Sequence, residues 1–191
     1  MAQGVDASDL ALTAKGQIYF TDTMHKSLWY IDAKGQKRVV YEGGEIAAPA
    51  ALSLTPDQAL LIVGDALARF SWSFQVAADG SLVNGEPYIR LDIPELDIPE
   101  TSAASGVTGV TVDSEGQVYF ADALDIRACE PNGRCAQILS KPEYGTISSV
   151  VFGGRDLNWL YVTEGGKLFR RPVKRTGAAA WAPVKPPRPL L

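Results

Sequence analysis

The sequence has no basic excess: 18 Lys and Arg stand against 22 Asp and Glu, for a formal net charge of −4. Nucleic acid and anionic membranes both need a basic face that displaces counterions or meets lipid headgroups, so neither is expected as a partner. No apolar run approaches the roughly 20 residues that span a bilayer. The first residues, MAQGVDASDL, have neither the basic start nor the apolar core of an export signal. As written, the chain is expected to be soluble and, by default, cytoplasmic. Histidine occurs once, as His25 in TMHKS, so a Ser-His-Asp arrangement would have no other base to draw on. A polar histidine beside Lys26 in a connecting loop is expected to be solvated instead. Cysteine occurs twice, and Cys129 and Cys135 bracket EPNGR. A type I turn plus bulge at Pro131, Asn132 and Gly133 would set the two side by side. A disulfide is then allowed, and the redox compartment decides whether it forms.

What the sequence does contain is a repeat. GQIYFTD at 16–22 returns as GQVYFAD at 116–122, and each phrase closes a longer pattern of apolar strand, turn, apolar strand and acid. The pattern occurs four times: DLALTAKGQIYFTD, ALSLTPDQALLIVGD, TGVTVDSEGQVYFAD and SSVVFGGRDLNWLYVTE. The closing acids are Asp22, Asp65, Asp122 and Glu164, at intervals of 43, 57 and 42 residues. After each acid, SLWYIDAKGQKRVVYEG, RFSWSFQVAADGSLVNGEPYIRL, DIRACEPNGRCAQIL and KLFRRPVKRTGAAAW read as a third strand, a Gly-containing turn and a weaker fourth. Four strands per unit at this period predict an all-β propeller of about four four-stranded blades, and unit-to-unit identity at fixed positions favours it over a β-sandwich. Trp29, Trp72, Trp159 and Tyr161 alternate with polar residues, which suits packing between blades better than a sugar-stacking platform.

The chain reads as one domain over 1–191. The long interval holds an insertion at 91–104, where Leu-Asp-Ile-Pro-Glu is written twice, and its two prolines exclude a central strand. Residues 178–191 form a Pro-rich tail. In a hairpin, the start of the first strand and the end of the second share one edge, so the four units should build one rim. Ser8, Asp9, Ala50, Thr108 and Ser148 are placed nearest the axis as candidate substrate-binding residues. The acids Asp22, Asp65, Asp122 and Glu164 lie outboard, where strand-end acids commonly act as turn formers.

SDLALTAKGQIYFTD, PAALSLTPDQALLIVGD, SGVTGVTVDSEGQVYFAD and VVFGGRDLNWLYVTEGGKLFRR resemble the family of senescence marker protein, gluconolactonase and luciferin-regenerating enzyme, whose members are six-bladed propellers. The resemblance implies hydrolysis of small sugar lactones by an axial divalent cation, often calcium. It also implies metal ligands of an Asn, an Asp and an early Glu. Here the Asn position is Ala50, the Asp position is Thr108, and the Glu would fall before residue 1; an Asn that contacts substrate in the family is Ser8. No metal site or cofactor is therefore predicted, and no catalytic residue is assigned. Two readings stand: a lactonase-class propeller with degraded activity, and a non-catalytic binding or scaffold propeller. Four units of a six-bladed architecture are expected to be part of a longer chain, to close as a smaller ring, or to form an open arc that another chain completes, a second copy included.

Overall fold

The computed structural model describes residues 5–91 and 104–184. Its fifteen strands form four antiparallel sheets, with no helix among the described residues. Blade I comprises β1 (Ala7–Leu12), β2 (Ile18–Asp22), β3 (Ser27–Ile31) and β4 (Lys37–Glu42). Blade II comprises β5 (Pro49–Leu54), β6 (Leu60–Asp65), β7 (Phe70–Val76) and β8 (Leu82–Arg90). Blade III comprises β9 (Gly109–Val112), β10 (Val118–Ala121), β11 (Ile126–Cys129) and β12 (Cys135–Leu139). Blade IV comprises β13 (Ile147–Gly153), β14 (Trp159–Glu164) and β15 (Lys167–Pro172). The first strands pack in chain order, β1 on β5, β5 on β9 and β9 on β13, which makes them the inner strands of a four-bladed propeller.

The repeat becomes a packing rule once registers are compared. Leu10 pairs with Phe20, Leu52 with Val63, Val110 with Phe120 and Val150 with Val162. In blades II, III and IV these residues, with their strand neighbours two positions on, are buried against the preceding blade. The intervening positions turn the other way: Tyr19, Ile62 and Tyr119 are buried against the following blade. Strand alternation thus gives each sheet two apolar faces, one for each neighbour. Each fully buried Leu, Ile, Val or Phe contributes about 1.5–3 kcal/mol, so these three interfaces dominate stability over any single hydrogen bond of about 1 kcal/mol.

Two expectations need correction. Blade IV has three strands among the described residues, because β15 ends at Pro172 and the chain from Thr176 onward crosses to other blades. Pro172 has no N–H to continue a ladder. Of the four aromatics assigned to inter-blade packing, Trp72 lies in the core between blades I and II. Trp29, Trp159 and Tyr161 are half-buried outside the core clusters; Trp29 stacks on Phe20 and Trp159 carries the Arg170 guanidinium over its ring. Leu91, placed at the start of the insertion, is buried in the core between blades II and III, its N–H donating to the Arg69 carbonyl. The remainder of the insertion, 92–103, lies outside the described residues, as do tail residues 185–191. Across the described residues, no helix is long and apolar enough to cross a membrane.

Cys129 and Cys135 pair across the β11–β12 hairpin and are joined by a disulfide. Gly133 takes a φ of 90°, as the turn requires. The bond closes a short loop, so reduction should lower the unfolding free energy by about 2 kcal/mol on loop-closure grounds. Denaturation with and without reductant checks this, and an unchanged midpoint would show that the hairpin does not depend on the bond.

Candidate functional site

The four strand-end acids share one rim: Asp22 pairs with Ala7, Asp65 with Pro49 and Glu164 with Ile147, while Asp122 follows β10 directly. All four are buried. Each carboxylate accepts hydrogen bonds from backbone N–H groups of adjoining loops. Asp65 accepts from Ala47, Ala48 and Leu67 at 2.7, 2.9 and 3.1 Å. Asp122 accepts from Leu124 and Asp125 at 2.8 and 2.9 Å and from the Arg127 guanidinium. Glu164 accepts from the Glu143 N–H at 3.2 Å through Oε2. Asp22 accepts from the N–H groups of Asp6 and His25, and the His25 Nδ1 lies 2.9 Å from both of its oxygens. Burial pushes Asp22 up, but the His25 hydrogen bond and the two backbone donors outweigh it and hold the carboxyl below its ordinary range. His25 is therefore half-exposed yet fastened to a buried acid, not simply solvated as its loop suggested.

Nearest the axis, Ser8, Asp9 and Ala50 lie on β1 and β5, Thr108 immediately precedes β9, and Ser148 lies on β13. Their polar groups are engaged with the protein. The Ser8 hydroxyl is 2.8 Å from that of Thr23, and Ser148 repeats the arrangement with Thr163 at 2.8 Å. Thr108 donates to the Ile147 carbonyl at 2.7 Å, joining the inner strands of blades III and IV. Asp9 joins those of blades I and II, one oxygen accepting from the Leu10 N–H at 2.8 Å and the other from the Leu52 N–H at 3.0 Å. Burial raises the Asp9 carboxyl to about 6, against the lowering effect of those two N–H groups.

Below the rim, the inner strands line an open-sided channel of about 430 Å³. Its wall is mixed, with Leu12, Leu54, Val112 and Phe152 beside Ser53, Thr111 and Ser149, and among the described residues Asp9 is its single titratable one. The end away from the rim is crossed by the segment read from sequence as a fourth strand. Thr176 accepts from the Ser114 N–H at 2.7 Å, and the N–H groups of Gly177 and Ala178 donate to Leu157 and Val112 at 2.8 and 3.0 Å. The Gln58 side chain bridges the strap to blade I, donating to the Ala180 carbonyl at 3.4 Å and accepting from the Ala14 N–H at 3.0 Å. The strap therefore ties all four blades together. Sequence reading missed Gln58 and the strap, because both act between segments far apart in the chain.

The divalent cation implied by the family resemblance has a poor fit here. A hard dication seeks six to eight oxygens, several of them carboxylate. Among the described residues, the inner rim offers one carboxyl, Asp9, with both oxygens already accepting backbone N–H groups, beside Ala50, whose side chain has no ligand atom, and Thr108, whose hydroxyl is spent on Ile147. Among the described residues, no group of three or more His, Cys, Asp or Glu is placed to hold a metal ion.

The strap's close approach is testable. A Cβ on Gly177 would come within 2.2 Å of the Phe152 Cβ. Gly177→Val should destabilise the fold by roughly 1–3 kcal/mol as an overpacking change. It should also raise hydrogen exchange at Ala178 and at Ser114, which denaturation and exchange measurements read together. Exchange unchanged at both amides would show that the strap does not hold the channel end.

Comparison with known proteins gives the chain its relatives. No curated protein matches it by sequence. Among solved structures, it resembles the calcium-binding protein regucalcin of Agrobacterium tumefaciens, with a TM-score of 0.72 and 17% identity over 93% of this chain and 64% of that one. It resembles a gluconolactonase of Xanthomonas campestris, with a TM-score of 0.71 and 19% identity over 90% and 59%. It also resembles a luciferin-regenerating enzyme, with a TM-score of 0.71 and 18% identity over 90% and 64%. The chain thus spans less than two thirds of the length of each of these neighbours, and at such identities the likeness is one of fold. The sequence itself decides the family: with residues 9–166 matching the SMP-30/gluconolactonase/LRE-like region, the chain belongs to that family.

Proposed function

We propose that this chain is a gluconolactonase-like propeller that binds a small neutral molecule of the lactone or ester class at the axial channel, without the family's metal-dependent hydrolysis. The observation that carries the reading is the state of Asp9. Among the described residues it is the single inner-rim carboxyl, and it is used to hold β1 against β5. Opening a lactone with water requires a group that polarises the carbonyl and a group that takes a proton from water. A bound dication supplies the first and lowers the pKa of the attacking water. With neither Ala50 nor Thr108 able to share a cation with Asp9, both tasks lack a group on the inner rim.

Binding needs less. The aliphatic residues of the channel wall suit a compact ring, and the side chains of Ser53, Thr111 and Ser149 among its lining residues can meet a ligand's polar atoms. A carboxyl with a pKa of about 6 is largely protonated in mildly acidic solution and can then donate to a ligand carbonyl.

Titration calorimetry with calcium, manganese and zinc should give no micromolar binding, and lactone turnover should stay near background with or without chelator. Micromolar binding that is lost in Asp9→Asn, or chelator-sensitive turnover, would restore the hydrolase reading. Ala50→Asn with Thr108→Asp returns two family ligands to the rim, and cation binding by this double variant should still be weak, for want of the early Glu.

A further inference from the structure

Antiparallel strands exchange hydrogen bonds at every second residue, and the residues between turn their N–H and C=O groups the other way. In blade III the Asp113 N–H donates to the Gln117 carbonyl, so Gly109 and Thr111 are bonded to β10 while Val110 and Val112 face the axis. The Val112 carbonyl accepts from the strap there, at Ala178. In blade II the Thr55 N–H donates to the Leu60 carbonyl, and the same count turns Leu52 and Leu54 to the axis. Val150 is the equivalent residue of blade IV: it pairs with Val162 as Leu52 does with Val63, and it too is buried against the preceding blade.

The residue one position earlier sends its side chain to the other face of the sheet, toward the next blade. In blade I that residue is Asp9, whose Oδ2 takes the Leu52 N–H at 3.0 Å. In blade II it is Ala51, which has no side-chain acceptor to offer Val110. In blade III it is Gly109, where a Cβ would lie 2.7 Å from the Val150 nitrogen, so no side chain fits between the two strands. The N–H groups of Val110 and Val150 therefore face the axis without the carboxylate that Leu52 has. Both residues line the channel, together with Ser149 and Asp9.

We propose that the N–H groups of Val110 and Val150 form the polar subsite of the channel and receive the carbonyl oxygen of a neutral lactone or ester. The proposal rests on the channel being the binding site. Two N–H donors seek an acceptor oxygen, and an ionised Asp9 in the same channel repels a ligand anion, which leaves an uncharged carbonyl as the fitting group. Such donors orient a carbonyl but take no proton from water, so the subsite serves binding.

Amide NMR of the whole chain at about pH 7.5, where a carboxyl with a pKa of about 6 is ionised, reads the donors directly. The probes are δ-valerolactone and tetrahydropyran, the same ring without the carbonyl. The lactone should move the Val110 and Val150 amide protons downfield in a saturable way and bind about tenfold more tightly than tetrahydropyran, which should leave both amides in place. Asp9→Ala makes blade I like blade II at this position, so the Leu52 amide should become a third responder to the lactone. If that variant does not fold, the comparison of the two rings on the wild type decides alone. Equal binding of the two rings, or lactone binding that moves other channel residues but neither amide, would overturn the subsite while leaving the channel as the binding site. If neither ring perturbs any channel residue, the binding reading falls and the subsite with it.

Discussion

Each of the two middle blades buries two apolar faces, one against each neighbour, and the structure follows from how that requirement is met. Within a strand, successive side chains point to opposite sides of the sheet. A run such as Leu61, Ile62, Val63 therefore sends Leu61 and Val63 into the core shared with blade I and Ile62 into the core shared with blade III. Neither middle sheet can be stable alone, because removing either neighbour exposes half of its aliphatic residues. The inner strands are drawn together as a by-product, and the axial channel is the space their side chains leave.

That arrangement creates a polar problem at the axis and the rim. Inner strands have one edge without a ladder partner, and the loops between blades carry N–H groups turned into the protein. The acids solve it. Asp65, Asp122 and Asp22 each gather two or more loop N–H groups, and Asp9 takes the Leu52 N–H across from blade II. An acid that is satisfied in this way has no oxygen in reserve for a cation. The candidate site is therefore shaped by structural demand: its carboxyls and hydroxyls are present in number but already committed, with the exception of Glu164, whose Oε1 is buried without a hydrogen-bond partner among the described residues.

Much of this was legible in the sequence, and the limits have physical causes. The four closing acids and the paired strands before them could be read because hairpins are local, and a hairpin's pattern lies within about fifteen residues. The fourth strand of the last unit could not. KLFRRPVKRTGAAAW has strand-like composition, but Pro172 ends the ladder and Gly177 is the residue without a Cβ that can lie against Phe152. That fit depends on a residue in another strand. The use of Asp9 was hidden for the same reason, since its partner Leu52 lies 43 positions away. For His25 a signal did exist. An acid three residues earlier, with Lys26 turning the chain at a φ of 51°, is a spacing that folds the imidazole back on Asp22.

The functional account rests on Asp9 being a structural carboxyl raised by burial and closed to cations. Carbon-13 NMR of its side-chain carboxyl, recorded through a pH titration with and without calcium, tests this at the atom concerned. The account predicts a midpoint near the value of about 6 that burial imposes, unmoved by millimolar calcium. A midpoint at or below the ordinary aspartate value, or one driven downward by calcium, would contradict it and place a working cation site at the axis.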